Sequence, residues 1–383
     1  MIRVKRRILG LFVSLLAGTG AGVAVVLCLF ACDGRRQELS PPLVHADVSQ
    51  LDHVDILPAL AHSPLEDRQS VVWCATLELA WRDLVRRNGA PVRLAGAQYE
   101  EHVGGLNAGI ETADDLLLGR DELTWMSGGV EILKALRTHA QRKDDESGRA
   151  VLAEAFLADA EELPPPPETV IIYAELSTAM AFTPPFERLD GKLDFNGTGV
   201  ACFGIEAHDH PARANVTAYK DPSYHKDVTL VIRADDGGGD ELLVASFLSR
   251  PETLESAVSA ALSRLDGAGH PFSARDRFLV PVIDVDLSKR FAQLEDRTIE
   301  NGRLAGFTTR FVGQRIKFKV DETSAALHSE AAVRVESKPM RVFFDRPFLI
   351  MLRKEGAPLP YFAMWVATAD VLRRVTGGSE ELD

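Results

Sequence analysis

The sequence predicts an α+β fold in which a helical N-terminal half packs on large mixed or antiparallel β-sheets. Three observations predict it. Apolar residues recur at helical spacing through much of the first 163 residues. The run Leu163-Pro164-Pro165-Pro166-Pro167 then breaks that texture, because proline removes a backbone donor and crowds the preceding turn. Beyond it, short β-rich runs bounded by turn residues dominate, with few helical stretches among them. With 383 residues, 46% hydrophobic and 26% charged, the chain is globular and long enough for one large or two ordinary domains. Its formal net charge of −13 argues against a partner held by its phosphate backbone, so no nucleic acid is expected. Four cysteines are too few for a disulfide scaffold, and no fixed-period repeat points to a solenoid.

Residues 1–32 read as an export address. Arg3, Lys5, Arg6 and Arg7 precede an uncharged run over 8–31, a basic region followed by an apolar one. The run ends in Leu29-Phe30-Ala31-Cys32, which resembles a bacterial lipoprotein box. That resemblance implies cleavage before Cys32 and lipid on its thiol, placing the body on the periplasmic or cell-surface side of the envelope. The alternative is an uncleaved anchor, since the run is long enough to cross a bilayer at ~1.5 Å per residue. Either way the partner at this end is a membrane. Removing residues 1–32 takes away four basic residues and leaves a body at −17. Cys74 and Cys202 remain, both in apolar surroundings that suit buried free thiols.

Residues 33–70 are polar, contain proline and read as a tether with room for one short helix. The folded domain is then expected over 71–375, with a tail at 376–383. Trp73, Leu77, Ala80, Trp81, Leu84 and Val85 predict a helix over 71–87, stopped by Asn88-Gly89. Further helices are expected over 130–141 and 149–163. Strands are expected over 169–173, 199–205, 227–233 and 241–248, with a hairpin turn at Asp235-Asp236-Gly237-Gly238-Gly239. One amphipathic helix over 251–265 ends near Gly267, and strands resume from Phe278. Neither half looks complete alone, so the prolines read as a surface loop inside one domain.

The most specific signal is near the C-terminus. Val342-Phe343-Phe344-Asp345-Arg346-Pro347-Phe348-Leu349-Ile350-Met351-Leu352 resembles, position by position, the signature of the serpins. These are large protease inhibitors that trap their targets by inserting a loop into a β-sheet. Tyr361-Phe362-Ala363-Met364-Trp365-Val366 is similar to the strand closing the serpin core hairpin, with Met364 where serpins usually have Gly. Arg315-Ile316-Lys317-Phe318-Lys319-Val320-Asp321-Glu322 resembles the strand that leads into the hinge of the reactive loop. Weaker matches lie in order upstream: 241–245 with the following helix, 278–283, and 169–186 with Phe182 where serpins keep a Trp. The resemblance spans 69–372 and implies a serpin-like fold with an exposed reactive loop before the final hairpin.

Residues 325–336 alternate with period two. Ala325, Leu327, Ser329, Ala331, Val333 and Val335 share one face, the pattern of a half-buried strand. An ordinary permanent strand and a loop able to become a strand both fit this pattern. The resemblance implies the second. It makes Glu322, Thr323, Ser324, Ala325, Ala326 and Leu327 the hinge, and Asp345-Arg346-Pro347-Phe348 the structural anchor after Phe344. The bait bond falls at Glu336-Ser337 when counted back from Phe344, and at Lys338-Pro339 when counted forward from Glu322. Proline after the bond disfavours most serine proteases, so Glu336-Ser337 is preferred. The chain departs from the inhibitory pattern in having no hinge Gly, in carrying Leu327, His328 and Glu330 where small residues are usual, and in reading Cys74-Ala75 for Ser-Pro. Bulk and charge slow insertion, and slow insertion lets a protease finish hydrolysis. The resemblance therefore implies either an inhibitor of a serine or cysteine protease or a binding or structural lipoprotein that keeps the fold without trapping. Neither is an enzyme, and no cofactor is implied.

Three other candidates are weaker. His208-Asp209-His210 with nearby His225 could ligate a metal, but a solvated hairpin tip is favoured and no metal is assigned. Asp284 and Asp286 could pair as carboxylates on one strand face, with Asp286 read as a helix cap before Leu287-Ser288-Lys289. Asn196-Gly197-Thr198 and Asn215-Val216-Thr217 are glycosylation sequons that a bacterial signal makes moot. No phosphate loop, nucleophile elbow or zinc motif is present in the sequence.

Overall fold

The computed structural model describes residues 38–39, 41, 43–61, 64–96, 100–109, 116–117, 123–140, 156–157, 160–161, 165–208, 210–221, 227–234, 239–322 and 339–376. In chain order the principal elements are β1 (Leu43–Asp47), β2 (Val54–Leu57), β3 (Ser70–Cys74), α1 (Thr76–Asn88), α2 (Glu100–Ala108), β4 (Leu123–Gly128), α3 (Leu133–Ala140), β5 (Thr169–Ala179), β6 (Glu187–Arg188) and β7 (Cys202–Ile205). They continue with β8 (Val216–Lys220), β9 (Val228–Arg233), β10 (Asp240–Ser246), α4 (Leu254–Ser263), β11 (His270–Pro271), β12 (Arg277–Pro281), β13 (Ile283–Arg290), β14 (Thr308–Val320), β15 (Arg341–Phe343), β16 (Phe348–Lys354) and β17 (Phe362–Val366).

Three sheets organise these strands. A mixed sheet runs β1-β13-β14-β5-β4, with a two-residue strand at Arg297–Thr298 against the start of β14. A second runs β11-β8-β9-β10-β16-β17-β3-β2, antiparallel except where β2 meets β3. A third runs β15-β12-β7-β6, with β15 parallel to β12. Strands β3, β16 and β17 are buried along nearly their whole length, which is why they read as continuous apolar runs rather than alternating ones. Both faces of the mixed sheet are covered. Val170, Ile172, Ala174, Leu176, Ile316 and Phe318 face the main core. Ile171, Tyr173 and Phe311 face a second cluster with Leu136 of α3 and Phe156.

Local signals explain the element boundaries. Gly89 takes φ 77° and its N–H closes on Val85 O, ending α1 where the sequence placed the stop. Thr253 caps α4 reciprocally with Ser256, each side chain meeting the other's backbone N–H. Residues 235–238 of the expected turn lie outside the described residues, but β9 and β10 pair antiparallel across it.

Three expectations need correction. Residues 71–74 are strand β3 rather than the start of a helix, and α1 begins at Thr76. Val71, Val72 and Trp73 are β-branched or aromatic and buried on both faces, a case in which apolar spacing does not separate strand from helix. The tether at 33–70 is largely part of the fold. Residues 38–39 pair with 375–376, β1 pairs with β13, and β2 pairs with β3. Gln37–Asp383 accordingly form one compact unit, so the domain begins well before residue 71. Finally, β13 runs unbroken through Ile283–Arg290, so Asp286 caps no helix. Among the described residues no helix is long and apolar enough to cross a membrane. The apolar run at 8–31 and Cys32 lie outside them.

Candidate functional site

The site is built from the residues that flank 323–338 and the strand seam that leads up to them. Strand β14 ends at Val320, and Glu322 follows as the near end of the loop. Its carboxylate accepts from Arg188 Nη1 at 2.7 Å, and its carbonyl accepts from Phe186 N at 3.2 Å. At the far end, Met340 N donates to Asp276 Oδ1 at 2.6 Å, and Met340 O accepts from Arg277 N at 2.9 Å. Asp276 is itself held by its backbone: Arg213 Nη1 donates to its carbonyl at 2.6 Å and to Ser273 O at 2.7 Å. Seventeen residues, 323–339, separate these two anchors, which adjoin different sheets. The expected hinge residues Thr323 to Leu327 and the bait pair Glu336-Ser337 fall among these and lie outside the described residues.

The C-terminal signature supports the far anchor. Phe344 and Phe348 are buried with centroids 5.4 Å apart, and Phe195 meets Phe348 edge-on at 6.1 Å. Between them the chain turns through Asp345, Arg346 and Pro347. Asp345 O accepts from Asn196 N at 3.2 Å, while the Asp345 and Arg346 side chains pair at the surface. The substituted family positions are core residues too. Met364 is fully buried between Val72 and Ile350 in register, and Phe182 packs on Phe186 and Phe203.

The seam is the parallel ladder between β14 and β5. It pairs Thr308 with Thr169 at one end and Lys319 with Ala179 at the other, with one irregularity between Thr309 and Phe311. Since β14 runs straight into the loop, a strand formed from that loop and folded back against β14 would lie antiparallel to both seam strands. Period-two side chains decorate both faces of the seam. On the core face, Gln314 Nε2 donates to Cys74 O at 3.0 Å and to Thr76 Oγ1 at 2.9 Å, tying β14 to the β3–α1 turn.

On the α3 face a buried charge cluster crosses the seam. Arg315 donates from Nε and Nη2 to the two oxygens of Asp286 at 2.8 and 2.7 Å, a bidentate fork. Its Nη1 reaches Glu175 Oε1 at 3.2 Å. Glu175 Oε2 accepts from Tyr173 Oη at 2.6 Å and meets His139 Nε2 at 2.6 Å. Burial alone would raise the Glu175 pKa. The hydrogen bonds from His139 and Tyr173, with the charges of His139 and Arg315, outweigh it and hold the carboxyl below its ordinary range. Burial and the adjacent carboxylate push the Tyr173 phenol well above its own. Sequence reasoning missed this cluster. Its one sequence signal was Glu175, a single charge after the apolar run Val170-Ile171-Ile172-Tyr173-Ala174; Arg315 stands among Gln314, Lys317 and Lys319 and does not stand out.

Of the other candidates, Asp284, Asp286 and His210 have structural partners. Asp284 and Asp286 do not pair with each other: Asp286 binds Arg315, and Asp284 lies 3.5 Å from Arg373. His210 Nδ1 accepts from Ala212 N and starts a short turn. Asp209 and His225 lie outside the described residues, among which no metal-holding group occurs. Cys74 and Cys202 are free and buried, and burial pushes their thiols up to about 11 and about 12 respectively, which makes them inert.

No protein-family model matches the chain, and no curated protein matches it by sequence. Solved structures do. SRPN18 from Anopheles gambiae aligns with a TM-score of 0.50 at 14% identity, over 79% of this chain and 93% of that one. The mouse protein-Z dependent protease inhibitor aligns at 0.49 and 14% identity, over 79% and 91%. The Manduca sexta serine protease inhibitor serpin-12 aligns at 0.49 and 10%, over 79% and 93%. At these identities the likeness is one of fold: the chain has a serpin-like fold.

Proposed function

We propose that this serpin-fold chain is an exported, lipid-anchored inhibitor of a serine or cysteine protease, acting through cleavage and insertion of the loop 322–341. One observation carries the reading: the strand that leads into the loop, β14, pairs in parallel with β5 while the far end of the loop is pinned in another sheet. A cut in the loop frees its N-terminal part to fold back along β14 and enter the seam antiparallel to both neighbours. Thr323 to Leu327 serve as the hinge and Glu336-Ser337 as the bait. Asp345-Arg346-Pro347-Phe348 is structural, and the reading needs no catalytic residue or cofactor. The absent hinge Gly, with Leu327, His328 and Glu330 in the inserting stretch, favours a second reading as a non-inhibitory envelope module.

The test is direct. Full-length protein incubated with a panel of serine and cysteine proteases is expected to give at least one complex that survives SDS, with the loop cut near Glu336. Loop cleavage by several proteases with no such complex would exclude inhibition for that panel and leave the module. The lipid anchor is tested separately. Intact-mass and peptide analysis of protein from a bacterial host is expected to show an N-terminus at Cys32 carrying acyl chains. A free thiol at Cys32 with residues 1–31 retained would replace the lipoprotein with a membrane-anchored protein.

A further inference from the structure

We infer that the buried Glu175–Arg315 ion pair is the lock of the β14–β5 seam, and that the cluster around it is partitioned so that parting the strands breaks this pair while leaving both charges partnered. The purpose of such a lock rests on the insertion reading above; its existence can be measured without it.

The partition follows from which element holds each group. Arg315 sits on β14, and its fork grips Asp286 of β13, the neighbour on the side away from the seam. Glu175 sits on β5 and keeps Tyr173 of the same strand and His139 of α3, which packs over that side. The contact joining the two halves is Arg315 Nη1 to Glu175 Oε1, between residues directly opposite each other in the ladder. Both side chains are more than nine-tenths buried. A charge left alone in such a place is costly, so an unpartitioned cluster would forbid opening altogether. Here the opened state holds an Arg–Asp fork on one side and a carboxylate with two donors on the other. The closed state gains one further charge-assisted bond, enough to keep the seam shut but not to weld it. Tyr173, His139, Asp286 and Arg315 thus position Glu175 for a reversible separation.

Two substitutions of opposite expected sign test this, read by hydrogen exchange on the full chain. Glu175→Gln keeps the shape and removes the charge. It is expected to speed exchange in the seam segments 169–179 and 308–320 about tenfold, while 283–290 of β13 stays unchanged. His139→Phe keeps a ring against Tyr173 but removes the donor that Glu175 retains after parting, so seam exchange should slow. Unchanged seam exchange in Glu175→Gln, or equal acceleration of β13, would overturn the lock and leave a merely structural pair; so would acceleration by both variants. Uptake of a synthetic peptide of residues 323–336 by the same proteins separates the lock from the reading it rests on. Faster exchange with no peptide uptake by any protein retains the lock and defeats insertion. Uptake by the wild type at the same rate as Glu175→Gln, with exchange unchanged, retains insertion and defeats the lock.

Discussion

Cutting the loop near Glu336-Ser337 is expected to raise the melting temperature of the protein by roughly 15 °C, measured by calorimetry on intact and nicked full-length samples. The expectation comes from the ladder that insertion would replace. In the intact chain β14 and β5 share one parallel ladder, and parallel pairing is slightly the weaker kind per residue. A strand of about a dozen residues entering between them exchanges that single ladder for two antiparallel ones. At a net ~0.5–1.5 kcal/mol per added hydrogen bond, the gain is on the order of 10 kcal/mol. In a protein of this size each kcal/mol moves the midpoint by ~1–2 °C, somewhat less than the shift typical of smaller domains. The anchors make the requirement for a cut intelligible: Glu322 is held by Arg188 and Phe186, Met340 by Asp276 and Arg277, and an uncut loop is tied at both ends. A nicked protein that melts where the intact one does would remove the trapping mechanism and leave the non-inhibitory module. That comparison does not depend on knowing the natural protease.

What the sequence disclosed and what it withheld follow one physical line. The C-terminal hairpin was legible because its two faces are both buried, so nearly every position of β16 and β17 is constrained and the motif is dense. The stop of α1 was legible because a left-handed residue there calls for Gly, and Gly89 supplies it. Strand β3 was hidden inside an apparent helix because Val71, Val72, Trp73 and Cys74 are buried all round and carry no period. Strands β1 and β2 were hidden for the opposite reason. They are short, and they join their sheets through partners more than two hundred residues away in one case and sixteen residues away in the other. Composition alone cannot distinguish such strands from a polar tether. Asp286 looked like a cap because a cap and a strand-face carboxylate are the same residue type. Only the strand course of β13 and the fork from Arg315, diagonal to it on β14, decide between them.

Replacing Arg315 by Met should destabilise the fold by about 3–5 kcal/mol, seen as a lowered midpoint in thermal or denaturant melts. The substitution keeps most of the side-chain volume but leaves Asp286 and Glu175 buried without the cation that bridges them. Arg315→Lys keeps the charge yet loses the fork that matches two carboxylate oxygens at once, and should recover only part of the loss. Acid provides a further check whose sign is fixed by Glu175. Its folded pKa lies below its unfolded one, so its contribution is fully present above the ordinary carboxylate range and is lost as pH falls through the lower, folded value. Part of that depression comes from Arg315, which favours the charged carboxylate and does nothing comparable for the protonated one. The stability gap between the wild type and Arg315→Met should therefore be widest at neutral pH and should narrow as the solution is acidified below the carboxylate range. A gap that stays constant across the series would mean that Arg315 stabilises the sheet through its packed methylenes alone, and that the charges beneath α3 contribute nothing to holding β14 against β5.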